Sequence, residues 1–221
     1  MRVAVVDPGS GNLASVARAF ARAASEAGVA AEVALTTRAE EVASADRVVL
    51  PGQGAFAACR RGLDALDGME DALREAVERR GVPFLGVCVG MQMMAERGLE
   101  HGETPGLAWI AGEVAPMDPR DPATGEALPL PQMGWNGLDF GDDGATHPLL
   151  DGVPLGAHAY FVHSYALRGG RAGESLATAE YGGPVAALVG RDNLAGAQFH
   201  VEKSGPVGLR MLANFLRWSP S

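Results

Sequence analysis

The chain has 221 residues, 47% hydrophobic and 20% charged, a length that suits one α/β domain or two small domains. Its 18 basic and 27 acidic residues give a formal net charge of -9 without a basic stripe, which argues against direct nucleic-acid binding. Two cysteines, Cys59 and Cys88, are too few for a disulfide framework, and no Cys/His cluster has metal-ligand spacing. We therefore expect no metal and no cofactor.

The first hundred residues alternate between strand and helix patterns. Asn12 precedes the first helical pattern and is expected to cap it. Strands separated by helices predict a mostly parallel central sheet flanked by helices, with right-handed crossovers. Strands are predicted at 2–7, 31–36, 47–50 and 82–87, and helices at 13–28, 39–45 and about 66–81.

The second half of the chain has a different pattern, in which glycine-rich turns separate short strands. This pattern favours a mixed or antiparallel extension of the sheet. No repeat, low-complexity tract or linker is visible, so residues 1–221 are expected to form a single α/β domain. The predicted elements are short strands in 106–118, a loop at 119–136, strands at 159–167, 175–181, 184–190 and 194–202, and a helix at 204–218 capped by Ser204.

The N-terminal segment, residues 1–12, lacks the long apolar core of a signal peptide. No stretch of about 18 apolar residues predicts a membrane span. We expect a protein of the reducing cytoplasm, with neither a membrane nor a nucleic acid as partner.

The segment GVCVGMQ (86–92) follows an apolar strand and matches the nucleophile elbow, with cysteine in place of serine. Gly86 and Gly90 leave room for a strained turn at Cys88, and the following helix would favour a thiolate at its positive end. The other interpretation is a small buried residue. Cys59 has no such flanks and is interpreted as a packing or surface residue.

A cysteine nucleophile needs a base, and the base needs a group that orients it. His200 stands at the end of an apolar run, and Glu202 would share its face if the strand continued. A strand-end histidine beside a solvated glutamate remains the alternative. His163 is the rival base, although no acidic residue lies within two positions of it. The remaining histidines, His101, His147 and His158, are interpreted as surface residues in turns.

Six segments together resemble one family over essentially the whole chain, the class I (triad-type) glutamine amidotransferases. The resemblance implies a flavodoxin-like fold, with Cys88 as nucleophile, His200 as base and acid, and Glu202 as the residue that orients His200. The six segments are VDPGSGN (6–12), LPGQGAF (50–56), GVCVGMQ (86–92), QMGWN (132–136), YFVHSY (160–165) and AQFHVEKS (197–204).

The resemblance also implies an oxyanion hole, formed by the backbone of Gln53 and Gly54 together with the amide of Val89. The sequence departs from the family pattern at Pro8, usually tyrosine, at Gln53, usually valine, and at Val201, usually proline. None of these departures removes a reactive group.

Four further positions are implied to bind glutamine. Gln92 and Glu100 would contact its amino-acid end, and the backbone around His163 and Ser164 would bind its carboxylate. On physical grounds Gln92 lies one turn after Cys88 and faces the same side of a helix. An ordinary polar helix face is the alternative for Gln92 and Glu100.

The segments QMGWN and DxGxGN are most similar to those of glutaminase subunits from histidine biosynthesis. In that branch of the family, ammonia passes to a separate (βα)8-barrel cyclase subunit that makes imidazole glycerol phosphate and AICAR. The resemblance implies a heterodimer whose interface includes Met133, Gly134, Trp135 and Asn136, with the aromatic anchor in a loop. The alternative is that Trp135 and Asn136 simply cover the hydrophobic core.

The resemblance implies hydrolysis of glutamine through a γ-glutamyl thioester on Cys88. No GxxxxGK[ST] phosphate loop is present, so a nucleotide acceptor is expected to bind the partner. Two alternatives remain open. One is an amidotransferase subunit for anthranilate or vitamin B6 synthesis, and the other is a non-catalytic binding subunit of the same fold.

Overall fold

An eight-stranded sheet forms the centre of the structure, a computed structural model that describes residues 1–220 apart from the side chain of Asp143. The strands are β1 (Arg2–Val6), β2 (Glu32–Thr36), β3 (Arg47–Gly52), β4 (Phe84–Cys88), β5 (Arg97–Gly98), β6 (Thr104–Pro105), β7 (Glu113–Pro116), β8 (Gln132–Gly137), β9 (Asp139–Phe140), β10 (His158–His163), β11 (Tyr165–Arg168), β12 (Ser175–Glu180), β13 (Pro184–Arg191) and β14 (Leu194–Ala197). The α-helices are α1 (Leu13–Ala27), α2 (Ala39–Ala43), α3 (Phe56–Asp64), α4 (Met69–Arg74), α5 (Val89–Gln92), α6 (Asp142–Ala145) and α7 (Gly205–Arg217).

The strand order of the central sheet is β2-β1-β3-β4-β14-β13-β12-β9. The first five strands are parallel, whereas β13, β12 and β9 continue the sheet in antiparallel pairs. The predicted α/β fold, a mostly parallel sheet with a mixed extension, is confirmed. Strands β8 and β10 form a separate antiparallel pair, and β11, β7, β5 and β6 form a small third sheet.

The core forms where helices cover both faces of the parallel strands. Every residue of β4 is buried, as expected for a strand in the middle of a parallel sheet. Right-handed crossovers place α1 on one face and α2 to α4 on the other. Helix α7 packs beside α1, where the rings of Phe20 and Phe215 meet edge to face at 5.8 Å. None of the helices described between residues 1 and 220 is long and apolar enough to cross a bilayer.

The helix prediction for 66–81 was too long at its start. Gly68 takes a left-handed conformation with φ of 67°, so α4 begins only at Met69, and the last turn is a π-helix, Glu75–Arg79. Helix α3 was not predicted. Its signal was present in the helical spacing of its buried residues, Phe56, Cys59 and Leu63.

Asn12 and Ser204 stand at the N-cap positions of α1 and α7, as predicted, but within the described residues neither side chain bonds a helix amide. Ser204 instead accepts the backbone N–H of Tyr160 and donates its hydroxyl to the carbonyl of His200. The Ser204 hydroxyl therefore connects β10 to the segment after β14 and is not available to the amides at the start of α7.

Candidate active site

Cys88 occupies a strained turn between β4 and α5. Its φ of 54° and ψ of -113° lie in a region that side-chain-bearing residues seldom adopt. Gly90 makes the turn possible, because a Cβ atom there would lie 1.7 Å from the carbonyl oxygen of Leu50 on β3. The predicted elbow geometry is therefore present at this cysteine.

The helix that follows Cys88 is shorter than the sequence indicated. α5 is a single turn of four residues, so its dipole supports a thiolate less than a long helix would. A side chain that the sequence analysis missed contributes here: Nε2 of Gln198 donates to the Cys88 sulfur at 3.8 Å. No local pattern marks Gln198 for this contact, because the two residues are far apart in the sequence.

His200 reaches the same site because β14 is the neighbour of β4. Ala197 pairs with Val87, so the two parallel strands end side by side at one edge of the sheet. Three hydrogen bonds then hold the His200 backbone. Its amide donates to the carbonyl of Tyr160, and its carbonyl accepts from the Ser204 hydroxyl and the Lys203 amide. The fold thus joins residues 112 positions apart in the sequence.

Glu202 orients His200, but not through the predicted continuation of the strand. β14 ends at Ala197, and residues Val201–Lys203 form a 3-10 turn that brings the carboxylate back. Oε1 of Glu202 lies 2.9 Å from Nδ1 of His200, and both side chains are almost completely buried. A donor at Nδ1 leaves Nε2 as the atom that can exchange a proton at the site.

The electrostatic setting keeps His200 protonated at neutral pH. Burial lowers the pKa of its imidazole, but hydrogen bonding and charge from Cys88 and Glu202 outweigh burial and raise the pKa to about 9. Within residues 1–220 the Nε2 atom of His200 makes no hydrogen bond of standard geometry. Cys88 nevertheless lies near enough to contribute to this higher pKa.

The rival base, His163, has the opposite character. It is 6% exposed, and its Nδ1 lies 2.9 Å from the carbonyl oxygen of Tyr165. Burial, opposed by that hydrogen bond and reinforced by the charge of His200, lowers the pKa of His163 to about 4. His163 is therefore neutral at physiological pH.

The other three histidines lie outside this site. His101 and His158 are exposed, as predicted, although His158 begins strand β10 instead of lying in a turn. The surface prediction for His147 was wrong. Its Nδ1 accepts the backbone N–H of Leu149, and its ring packs against Trp218 at 5.2 Å.

A pocket of about 270 Å³ opens beside Cys88. Every predicted catalytic or substrate-binding residue except Glu202 lines it, and Glu202 lies behind His200. The lining residues are Gln53, Gly54, Cys88, Val89, Gln92, Glu100, Pro131, Val162, His163, Ser164, Tyr165 and His200.

The peptide between Gln53 and Gly54 is held by groups that the sequence analysis did not assign. The buried thiol of Cys59 donates to the Gln53 carbonyl at 3.3 Å, and the Ser10 hydroxyl lies 3.1 Å from the same sulfur. Burial raises the pKa of Cys59, so this thiol stays protonated and remains a donor. Gly54 has φ of 91°, a conformation in which glycine is favoured.

The polar floor of the pocket is built around Gln92. Its Nε2 donates to the Tyr165 carbonyl and to Oε1 of Gln198, each at 3.0 Å. This leaves Oε1 of Gln92 as the part of the amide available to a ligand. Glu100 is half-buried and accepts the backbone N–H of Phe56 at 2.7 Å, which fixes its carboxylate at the pocket wall.

The segment predicted as an interface loop is a strand. Residues Gln132–Gly137 form β8, which pairs with β10, so the prediction of a loop over all of 119–136 was wrong. Met133 and Trp135 point outward and are 64% and 54% exposed. Asn136 is turned inward and accepts a hydrogen bond from Gln132.

Comparison with known proteins places this geometry in a family. A family model described as glutamine amidotransferase class-I matches residues 5–218, and the chain belongs to that family. The chain is 59% identical over 223 residues to the imidazole glycerol phosphate synthase subunit HisH of Rhizobium meliloti (strain 1021). It is 56% identical over 220 residues to the subunit of the same name from Rhodospirillum rubrum, and both alignments cover 100% of each chain.

Solved structures agree on the fold. A crystal structure of a glutamine amidotransferase superposes with a TM-score of 0.68 at 20% identity, covering 98% of this chain and 99% of that one. Another glutamine amidotransferase, from Thermotoga maritima, gives a TM-score of 0.60 at 17% identity, covering 91% of this chain and 76% of that one.

Proposed function

We infer that the chain is the glutaminase subunit of an imidazole glycerol phosphate synthase, an enzyme of histidine biosynthesis. Full-length identity of 59% and 56% to HisH subunits supports the assignment. The observation that carries the chemistry is the meeting of Cys88 and His200 in one pocket, with Glu202 bonded to the far side of the imidazole. No cofactor takes part in the proposed reaction.

In the first half-reaction, the Cys88 sulfur attacks the γ-carboxamide carbon of glutamine. His200, protonated at neutral pH, gives its Nε2 proton to the nitrogen as the C–N bond breaks, and ammonia leaves a γ-glutamyl thioester. In the second, His200 takes a proton from water, which attacks the thioester and releases glutamate. Glu202 stabilises the imidazolium and holds its Nδ1–H throughout.

The oxyanion of each tetrahedral adduct is bound by backbone N–H groups of Val89 and of the Gln53–Gly54 segment. Gln92 and Glu100 bind the amino-acid end of glutamine, and the backbone at His163 and Ser164 binds its carboxylate. The support for these roles is that all of these residues line the pocket that contains Cys88.

Ammonia released into bulk water at neutral pH becomes ammonium and ceases to be a nucleophile. The chain therefore delivers it directly to its partner, a cyclase of (βα)8-barrel type that makes imidazole glycerol phosphate and AICAR. Met133, Gly134, Trp135 and Asn136 form part of the docking surface, and the exposure of Met133 and Trp135 supports this role. Residues 1–221 form a single domain, and the chain is one subunit of a cytoplasmic heterodimer.

Turnover by the purified chain, with and without a cyclase partner and its nucleotide, tests this function. We expect slow glutamate release from the chain alone and a large increase in the complex, since Gly54, with φ of 91°, lets the Gln53–Gly54 peptide change its orientation when the partner binds. Equal rates in both samples would rule out activation by the partner. Formation of the imidazole product with glutamine would exclude the anthranilate and vitamin B6 alternatives.

Covalent labelling separates catalysis from simple binding. A glutamine-analogue electrophile should modify Cys88 in the wild type and leave Cys59 unmodified, because Cys59 is fully buried with its thiol hydrogen-bonded. A chain that bound the analogue reversibly without labelling Cys88 would instead be a non-catalytic subunit.

A further inference from the structure

Among the buried acceptor atoms that have no donor within residues 1–220, two lie on the paired strands β8 and β10 beside the pocket. They are Nε2 of His163 and Oε1 of Gln132. Gln132 is fully buried and His163 is 6% exposed, so neither acceptor is satisfied by open solvent. A buried acceptor without a donor costs free energy, and two of them close together indicate a ligand that brings N–H or O–H groups.

The tautomer of His163 follows from its single partner. A backbone carbonyl can only accept, so Nδ1 must carry the proton that bonds to Tyr165. In the neutral ring, Nε2 then has a lone pair and no hydrogen. The pKa of about 4, caused mainly by burial, keeps the ring in this form at neutral pH.

The orientation of the Gln132 amide follows from a short chain of hydrogen bonds. Nδ2 of Asn136 donates to the carbonyl of Glu180 at 3.4 Å, so Oδ1 of Asn136 is the atom that faces Gln132. Nε2 of Gln132 donates to that oxygen at 3.0 Å. Reversing the Gln132 amide would set two acceptors against each other, so Oε1 of Gln132 is the free acceptor.

The two acceptors lie on neighbouring strands at the same level. His163 of β10 pairs directly with Gln132 of β8, and paired residues of antiparallel strands project from the same face. His163 lines the pocket, as does Pro131, the residue before Gln132. The charge of His200 affects the pKa of His163, so the pair is also close to the proton donor.

We propose that His163 Nε2 and Gln132 Oε1 accept the two N–H bonds of the glutamine carboxamide nitrogen as it leaves Cys88. The inference rests on the proposed glutaminase function and names two groups that select an amide substrate. In the tetrahedral adduct, the nitrogen carries two hydrogens and one lone pair. When both hydrogens point to the acceptors, the lone pair is directed toward His200.

The step is balanced within the site. The nitrogen lone pair takes the proton from Nε2 of His200, the C–N bond breaks with its electrons on nitrogen, and the carbonyl of the thioester forms again. The product is neutral ammonia, and its two original N–H bonds still point to His163 and Gln132. The site therefore holds the form of the product that remains nucleophilic.

A comparison of two substrates tests the proposal in the complex with the cyclase. Glutamine has an NH2 leaving group, whereas glutamate γ-methyl ester loses methanol through an oxygen that carries no hydrogen in the adduct. We expect His163→Phe and Gln132→Met each to lower the ratio of kcat/KM for glutamine to kcat/KM for the ester about tenfold, the size of one lost hydrogen bond. His158→Phe, an exposed change on the same strand, should leave the ratio unchanged.

If the two variants lost both activities in equal proportion, or lost neither activity, the inference would be overturned. The glutaminase assignment would still stand. A wild-type complex that hydrolysed neither substrate would overturn both. His163→Gln, which keeps an acceptor near the Nε2 position, should recover part of the ratio. If His163→Phe fails to fold, Gln132→Met applies the same test from the neighbouring strand.

Discussion

Glu202 is one of the two groups, with Cys88, that raise the pKa of His200, and its replacement by glutamine isolates the effect of its charge. Glu202→Gln keeps an oxygen that can accept the Nδ1–H bond, now 2.9 Å long, and removes the negative charge. The side chain is 1% exposed, so solvent screens the charge poorly. We expect the pKa of His200 to fall from about 9 toward its ordinary value of 6.5.

The size of the effect follows from the raised pKa. An increase from 6.5 to about 9 corresponds to roughly 3 kcal/mol in favour of the imidazolium, at about 1.4 kcal/mol per pH unit. Cys88 and Glu202 both contribute. If each supplies half, Glu202→Gln lowers the pKa by about one pH unit, which reduces kcat/KM by up to about tenfold above pH 9 and only slightly at pH 7.

The assay is the pH dependence of kcat/KM for glutamine in the complex with the cyclase. In the proposed mechanism His200 must be protonated to release ammonia, so we expect activity to fall as the pH rises through its pKa. The pKa of the alkaline limb should be near 9 for the wild type and about one pH unit lower for Glu202→Gln. The exposed change Glu126→Gln serves as the matched control. An alkaline limb that did not move would refute the assigned role of Glu202.

Two further changes test the elbow and its surroundings. Gly90→Ala places a Cβ atom 1.7 Å from the Leu50 carbonyl, so we expect a loss of more than about 3 kcal/mol in the free energy of unfolding. Gly141→Ala is the control, because its Cβ atom would lie 3.7 Å from its nearest neighbour. Its free energy of unfolding, measured by denaturant titration, should be close to that of the wild type. Equal stability of the two variants would contradict the steric argument. Gln198→Leu removes a donor to Cys88 and an acceptor for Gln92. It should slow labelling of Cys88 by a glutamine analogue about three- to tenfold and raise KM, whereas unchanged labelling would show that the amide does not assist the sulfur.

The sequence predicts features that depend on neighbouring residues. The elbow at Cys88 is such a feature, since the flanking glycines and the apolar strand stand within a few positions of it. The parallel strands are predicted for the same reason, as continuous apolar runs between helices. The pairing of His200 with Glu202 was inferred from strand alternation, yet a 3-10 turn produces it. That inference reached the right pair of residues for the wrong geometric reason.

Contacts between remote segments leave no local pattern. Gln198 meets Cys88 only because β14 lies beside β4, and Cys59 meets Gln53 only because α3 folds back over the end of β3. Ser204 stands at the N-cap of α7 as the sequence predicts, but its hydroxyl bonds to Tyr160 and not to a helix amide. Such roles require the strand order, which a single sequence does not specify.

The adjacency of β4 and β14 also determines when, during synthesis of the chain, the site can form. Cys88 is synthesised long before β14, which begins only at Leu194 and precedes His200 in the chain. Until then the thiol has no basic partner from β14 and no completed cleft. Cys88 and His200 can therefore come together only after synthesis has passed residue 200 of 221.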